Sequence, residues 1–259
     1  MEIINQYITL VPIGFGIATL ASLLGIGGGI LWAPYLILVR GLEPTLAIMT
    51  SMLIQSIGMG SALSNYIRKR MIYWNVSLGI LPFIIVGLIC GAYLNQKVAS
   101  KQFLEGGLGI VTMIMAIFFA FQTEDYDIKL ITDKNIKAPL KVKTGTIFFG
   151  SLSGLFSIGV GDFVIPILRT KMKIPMQNAI GISHFLNFSV ALIGGILHVI
   201  LSKHSYTDFM YIVLFAGIGV FIGGQVGPRL GEKIGDAKMK EIFIFILLLL
   251  GIHLIFQAL

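Results

Sequence analysis

The residues best suited to chemistry in this chain are two glycine-rich interruptions of apolar segments and the polar side chains that follow each one. The opened backbone of such a break presents unpaired N–H groups and the positive end of a helix dipole, which attract anions. Hydroxyls and amides on the next segment can complete the site. The predicted substrate-binding residues are Gly27, Gly28, Gly29, Ser51, Gln55, Gly159, Gly161, Ser183 and Asn187.

The two interruptions are copies of one pattern. Pro34, which follows the first, recurs as Pro166 after the second, an offset of 166 − 34 = 132 residues. Duplicated halves with Gly/Pro-interrupted apolar segments at matching positions are typical of secondary transporters and mark the binding site. The same offset relates Ala47 to Ala179, Ser51 to Ser183, Gln55 to Asn187, Gly87 to Gly219 and Gly91 to Gly223.

The composition excludes a soluble protein. Of the 259 residues, 56% are hydrophobic and 12% are charged, whereas about 25% charged residues is usual in soluble domains. Because a helix needs about 20 apolar residues to cross a bilayer, the sequence predicts an all-α polytopic membrane protein. The predicted spans are 7–24, 45–67, 71–94, 106–123, 144–161 and 209–228, with 174–202 and 242–259 if neutral histidines are allowed.

The distribution of basic residues predicts the topology. If each broken segment turns back on itself, each unit is a broken helical hairpin followed by three transmembrane helices, and the two repeats are inverted. With Arg68 in the cytoplasm, this arrangement places 15 of the 19 basic residues inside, whereas parallel repeats divide them 9 against 10. The positive-inside rule therefore favours inverted repeats. The net charge of +7 reflects this topology rather than nucleic-acid binding.

The predicted organisation is a repeat unit at 1–122, a cytoplasmic linker at 123–143 and a second repeat unit at 144–259, which together form one transmembrane domain. The linker mixes acidic and basic residues without an apolar period. It is expected to be a solvated connector, with a regulatory surface as the alternative. We expect a multi-pass protein of the cytoplasmic (inner) membrane, embedded in the lipid bilayer with both termini outside.

The glycines allow two interpretations. Half-helices are expected to start near Ile30 and Asp162, and the glycines would then let the backbone approach a bound anion. Under this interpretation an added methyl group, as in Gly28→Ala, obstructs the site. Alternatively, the small residues only permit close helix packing. The recurrence of the break with a following proline favours the site.

Gln55 and Asn187 also have two possible roles. Both lie near the centres of predicted spans, where an unpaired amide is costly. Each amide either faces the substrate or hydrogen-bonds the opened backbone of a glycine break. The sequence favours neither role over the other.

Asp162 and His184 are the titratable side chains expected deep in the membrane, and such groups are functional candidates by default. Asp162 is predicted either to cap the half-helix beside it or to bind a coupled proton or cation. His184 is a candidate proton relay, anion donor or core histidine. The remaining histidines, His198, His204 and His253, are expected near span ends or facing lipid, without a role.

The sequence contains no motif that indicates an enzyme. The spacings of a metal site, a nucleophile elbow or a phosphate-cradling loop are absent, so no cofactor is expected and the chain is not predicted to be an enzyme. The predicted partner is a small anionic substrate, with a proton as a candidate coupling ion. The alternatives are a cation or metal transporter that uses Asp162 and backbone carbonyls, and an intramembrane enzyme.

The chain resembles the TauE/SafE (sulfite exporter) family of membrane transporters over essentially its whole length. This resemblance implies transport of sulfite, of sulfonates such as sulfoacetate, or of other small sulfur-containing anions. The second half departs from the pattern, because an acidic residue follows its glycines. The resemblance rests on Gly25-Ile26-Gly27-Gly28-Gly29 with Pro34, on Pro44, Ala47 and Thr50-Ser51, on the hinge at 68–74, and on Gly87 and Gly91.

Cysteine labelling tests the predicted topology in a Cys90→Ser background, which removes the chain's one native cysteine. With inverted repeats, Lys97→Cys reacts with an impermeant reagent from outside and Lys171→Cys reacts only from the cytoplasm. Labelling of both from the same side would contradict inverted repeats.

Overall fold

The structure, a computed structural model, describes residues 7–97, 100–121, 136–202, 205, 207–230 and 236–259. Every regular element in these ranges is a helix, which confirms the all-α prediction. The first half contains α1 (Leu10–Leu24), α2 (Gly29–Leu38), α3 (Pro44–Arg68), α4 (Trp74–Lys97) and α5 (Lys101–Phe121). The second contains α6 (Leu140–Phe156), α7 (Gly161–Thr170), α8 (Met176–Leu201), α9 (Thr207–Leu230) and α10 (Asp236–Ala258).

Five of the described helices are long and apolar enough to cross a membrane: α3, α4, α8, and most of α5 and α9. The outward faces of these helices carry large apolar side chains, such as Ile89 on α4 and Ile218 on α9. Such a surface is stable only against lipid or another apolar partner. The chain is therefore a multi-pass membrane protein.

Two helices are shorter than the predicted spans: α1 begins at Leu10 rather than at residue 7, and α6 ends at Phe156, before the second glycine-rich break. Helix α1 has 15 residues and α6 has 17. Helix α6 begins at Leu140. The last residues of the predicted linker, 140–143, therefore belong to this helix. Linker residues 123–135 lie outside the described residues.

The 132-residue repeat is visible in the backbone. Gly25 and Ser157, which are 132 residues apart, both have positive φ, at 74° and 60°. Gly41 and Lys173 repeat this relation, with φ of 65° and 53°. Because a left-handed residue ends a helix, these positions isolate α2 and α7 as ten-residue half-helices. The conformation persists in the second half even though serine and lysine replace glycine.

Equivalent helices of the two halves pack against each other in opposite directions. Along the α3–α8 interface, Met52 lies beside Gly194, whereas Tyr66 lies beside Gly181. Residue numbers therefore increase along α3 in the direction in which they decrease along α8, so the two helices are antiparallel. Helices α5 and α10 are also antiparallel, since Gly109 lies beside Ile255 and Met113 beside Gly251.

The first helix of each half packs in parallel on the fourth helix of the other half. Helix α1 runs parallel to α9, and a methyl group added at Gly219 would lie 2.8 Å from the Phe15 nitrogen. Helix α6 runs parallel to α4 in the same way, and a methyl group at Gly87 would lie 2.8 Å from the Ser151 nitrogen. The repeated glycines Gly87 and Gly219 thus bring backbones together, as small residues do in membranes. The two halves interlock through these contacts.

Candidate functional site

The two breaks cross in the interior, at Gly27 and Gly159. A methyl group added at Gly27 would lie 2.8 Å from the Gly159 nitrogen, and one at Gly159 would lie 2.5 Å from the Gly27 nitrogen. Both glycines are buried. The crossing lies beside the middle of α3 and the middle of α8. The structure thus brings the two predicted breaks together.

The half-helices start at the crossing, one residue before the predicted positions. Helix α2 begins at Gly29 and α7 at Gly161, and the N-cap residues, Gly28 and Val160, supply no side-chain cap. The positive ends of both helix dipoles therefore meet at the crossing. None of the break glycines Gly27, Gly28 and Gly29 has a positive φ, so close approach rather than unusual dihedral angles explains Gly27 and Gly29.

Two side chains of α8 hold both breaks. The Ser183 hydroxyl donates to the Gly25 carbonyl at 2.6 Å. Asn187 Oδ1 accepts a hydrogen bond from the Gly161 N–H at 2.9 Å, while its Nδ2 lies 3.4 Å from the Ser183 hydroxyl. Of the two roles predicted for Asn187, satisfying the opened backbone is the one seen in this conformation.

The equivalent side chains of α3 face the same crossing. The hydroxyl oxygens of Ser51 and Ser157 lie 2.7 Å apart, within hydrogen-bond distance. Gln55 is 4% exposed and contacts the first break, where a methyl group at Gly27 would lie 3.0 Å from its Nε2. Ser157 was missed by the sequence reasoning, although the repeat offset relates it to Gly25.

Asp162 reaches across the crossing to the other half. Its Oδ1 accepts a hydrogen bond from the Gly27 N–H at 2.6 Å, whereas the Gly161 N–H at the start of α7 is bonded by Asn187. Asp162 lies in the first turn of α7 and its carboxylate reaches the opposite break, and the two roles expected for it, helix cap and coupling group, both stay predictions. Its Oδ2 has no hydrogen-bond partner among the described residues.

His184 is buried on α8 beside the crossing. Its Nδ1 lies 2.9 Å from the Ile180 carbonyl, and its ring lies 4.9 Å from the Tyr66 ring. Its Nε2 has no hydrogen-bond partner among the described residues. These contacts fit a core histidine, and the relay and anion-donor roles stay predictions.

His198 was expected to be incidental, and this prediction is wrong. The side chain is fully buried, with Nε2 2.8 Å from the Gly154 carbonyl and Nδ1 3.0 Å from Gln96 Nε2. Nearby, Asn95 donates to the Leu155 carbonyl at 2.8 Å. These carbonyls belong to the last turn of α6, where a helix leaves carbonyls unpaired. We call Asn95, Gln96 and His198 the α4–α8 network.

A second polar cluster joins α3 to α9 on the other side of the crossing. Gln225 Nε2 donates to the Ser61 carbonyl at 2.7 Å, and Gln225 Oε1 accepts from Asn65 Nδ2 at 3.2 Å. The Ser61 hydroxyl donates to the Phe221 carbonyl at 2.6 Å. We call Ser61, Ser64, Asn65 and Gln225 the α3–α9 network. The two networks therefore flank the crossing, one at the Lys97 end of α4 and one at the Arg68 end of α3.

An all-helical, multi-pass chain whose duplicated halves cross at broken helices has the architecture of a membrane transporter. The model of the sulfite exporter TauE/SafE family matches residues 10–254, and the chain belongs to this family.

The curated relatives support the same class. The chain is 24% identical to the probable membrane transporter protein YunE of Bacillus subtilis (strain 168), over 98% of both chains. It is 27% identical to the probable membrane transporter protein MJ0441 of Methanocaldococcus jannaschii, over 95% of this chain and 94% of the relative. No solved structure matches the chain. The protein is a membrane transporter of the TauE/SafE family.

The expectation that a methyl group at Gly28 obstructs the crossing is wrong on steric grounds. A methyl group there would lie 3.7 Å from both Ala21 Cβ and Trp32 Cδ1, which is ordinary packing distance. At Gly161 it would collide with the Ser183 hydroxyl and lie 2.7 Å from Asn187 Nδ2.

Gly161→Ala is therefore expected to destabilise the protein by about 1–3 kcal/mol, the usual effect of overpacking, whereas Gly28→Ala is close to neutral. Thermal unfolding of the two purified variants in detergent measures the difference. Equal losses of stability would contradict the close packing at the crossing.

Proposed function

We propose that this transporter moves a small sulfur-containing anion, such as sulfite, a sulfonate or a related organosulfur anion, and that the crossing of the two breaks is its binding site. The observation that carries this proposal is the meeting of two half-helix N-termini at Gly27 and Gly159. Helix N-termini bind anions through free N–H groups and the helix dipole. The family to which the chain belongs supports the sulfur chemistry.

The polar groups around the crossing suit weak and exchangeable anion binding. Backbone N–H groups of the breaks, the hydroxyls of Ser51 and Ser183 and the amides of Gln55 and Asn187 can all donate to an oxyanion. The described residues of the crossing include no lysine or arginine. Each helix dipole contributes about 0.3–2 kcal/mol, so the anion is held without a buried counter-charge and can be released.

We further propose that the two halves are inverted in the cytoplasmic membrane, with both termini outside. The antiparallel packing of the equivalent helices α3 and α8, and of α5 and α10, supports inversion. Parallel repeats would make equivalent helices run in the same direction. The division of basic residues supports the orientation.

Alternating access around the crossing is the mechanism that this arrangement favours. In the present conformation Ser51, Ser183 and Asn187 are fully buried, so the site is closed. The α3–α9 and α4–α8 networks join the helices on opposite sides of the site. Under this mechanism one network opens while the other stays closed.

A transporter for cations is the second candidate, because Asp162 Oδ2 is buried and unpartnered. Among the described residues, however, no group of three or more His, Cys, Asp or Glu side chains could hold a metal ion. The meeting of two positive helix ends also disfavours a cation at the crossing.

Gln225→Leu is expected to open the Arg68 side of the crossing, because loss of a buried hydrogen-bond partner costs about 1–3 kcal/mol. The reporter Ala62→Cys, at a fully buried position of α3, then reacts faster with an alkylating reagent. The matched reporter Ala191→Cys, fully buried on α8, reacts at an unchanged rate in this variant. In Gln96→Leu, by contrast, Ala191→Cys is expected to react faster and Ala62→Cys to react at an unchanged rate. An equal response of both reporters to each variant would contradict two separate gates.

Uptake into proteoliposomes tests the proposed substrate class. We expect labelled sulfite or a sulfonate to accumulate or exchange, and labelled divalent metal ions to remain outside. Gly161→Ala should abolish anion uptake, while Gly145→Ala, at a position with open space around the added methyl group, retains it. Uptake of a metal ion without any anion would overturn the proposal.

A further inference from the structure

We propose that Asp162 is a resident anionic ligand of the crossing, and that a transported anion replaces it at the Gly27 amide when the carboxylate takes up a proton. The inference rests on the proposed anion site. It adds a coupling ion, the proton, and a stoichiometry of one proton for each anion.

The position of the carboxylate is that of a bound anion. Gly27 immediately precedes Gly28, the N-cap residue of α2, so its N–H lies beside the positive end of this half-helix. Asp162 Oδ1 lies 2.6 Å from this nitrogen. A side chain from the second half therefore occupies one donor that the first half offers to a substrate.

The second carboxylate oxygen of Asp162 is the atom at which a proton can bind. Asp162 is 1% exposed, and its Oδ2 has no hydrogen-bond partner among the described residues. A buried carboxylate with one oxygen unpaired is costly in its ionised form. An O–H bond can form at Oδ2 while Oδ1 is still near Gly27, so protonation needs no prior rearrangement.

The surroundings supply no fixed cation that would hold Asp162 ionised. The side chains seen at the crossing, Ser183, Asn187 and Gln55, are uncharged. The titratable or charged groups on α7 and on the described parts of the elements packed against it are His184 and His198 on α8, Arg169 and Lys171 at the far end of α7, and Lys141 and Lys143 at the start of α6.

A substrate anion and an ionised Asp162 compete for the same donors. Like charges in one buried site repel strongly, and one of two such groups is then protonated. The proton that Asp162 takes up comes from water on the side where the site is open, and it leaves with the anion on the other side. No other bond forms or breaks, and a monovalent anion moves without net charge.

The repeat limits the coupling to one proton. The position of the first half that corresponds to Asp162 is 162 − 132 = 30, which is isoleucine. Among the described residues of the crossing, Asp162 is therefore the one acidic side chain. The asymmetry also explains why the second glycine motif differs from the first: its half-helix carries the coupling group.

The test uses proteoliposomes with a labelled monovalent sulfonate. The wild-type protein should concentrate the anion severalfold when an inward proton gradient is imposed. Asp162→Asn should lose this accumulation but keep exchange of labelled for unlabelled anion, because its uncharged amide oxygen can still accept from Gly27. Glu105→Gln, which alters another buried carboxyl outside the crossing, should retain gradient-driven accumulation.

The outcomes separate the two proposals. If the wild-type protein moves no anion, the proposed function fails together with this inference. If it exchanges the anion but does not respond to the proton gradient, or if Asp162→Asn still responds, only the coupling role of Asp162 is overturned.

A measurement on the wild-type protein covers the case in which Asp162→Asn does not fold. In weakly buffered detergent solution, binding of the sulfonate should take up about one proton per protein, which a pH-sensitive dye records. Anion binding without proton uptake would overturn the inference.

Discussion

The rest of the structure depends on one constraint: opened backbone inside a membrane must find its hydrogen bonds within the protein. Two chain breaks expose carbonyl and N–H groups at the same depth, and α8 meets part of this demand with Ser183 and Asn187. Asp162 meets another part from across the crossing. Each of these bonds, except that of Asn187, links one half to the other, so the site exists only when both halves are assembled.

The same constraint explains why polar side chains lie so deep in an apolar protein. His198 and Asn95 pair with the last carbonyls of α6, which the break leaves without partners. Glycines at the α4–α6 interface let α4, which carries Asn95, approach α6 closely, and glycines at the α1–α9 interface do the same for the other pair. Packing and polar satisfaction thus support one another, and the positive ends of α2 and α7 remain directed at the crossing.

The sequence predicted the architecture well because its signals repeat. The apolar runs, the glycine breaks and the 132-residue offset defined ten helical elements and the starts of α2 and α7 to within one residue. The interactions across the crossing could not be predicted, since spacing along one segment does not show which side chain of the other half it meets. The hydrogen bond from Gly27 to Asp162 was therefore not predicted, and the contact between Ser51 and Ser157 was missed.

A bound anion at the crossing is the central claim, and diffraction from crystals grown with selenite, collected at the selenium edge, tests it most directly. Selenite has the shape and charge of sulfite, and its selenium scatters anomalously. An anomalous peak beside Gly27 and Gly159, within hydrogen-bond reach of Ser51 or Ser183, is the predicted result. Selenium peaks only elsewhere in the protein, with the crossing still closed, would contradict it.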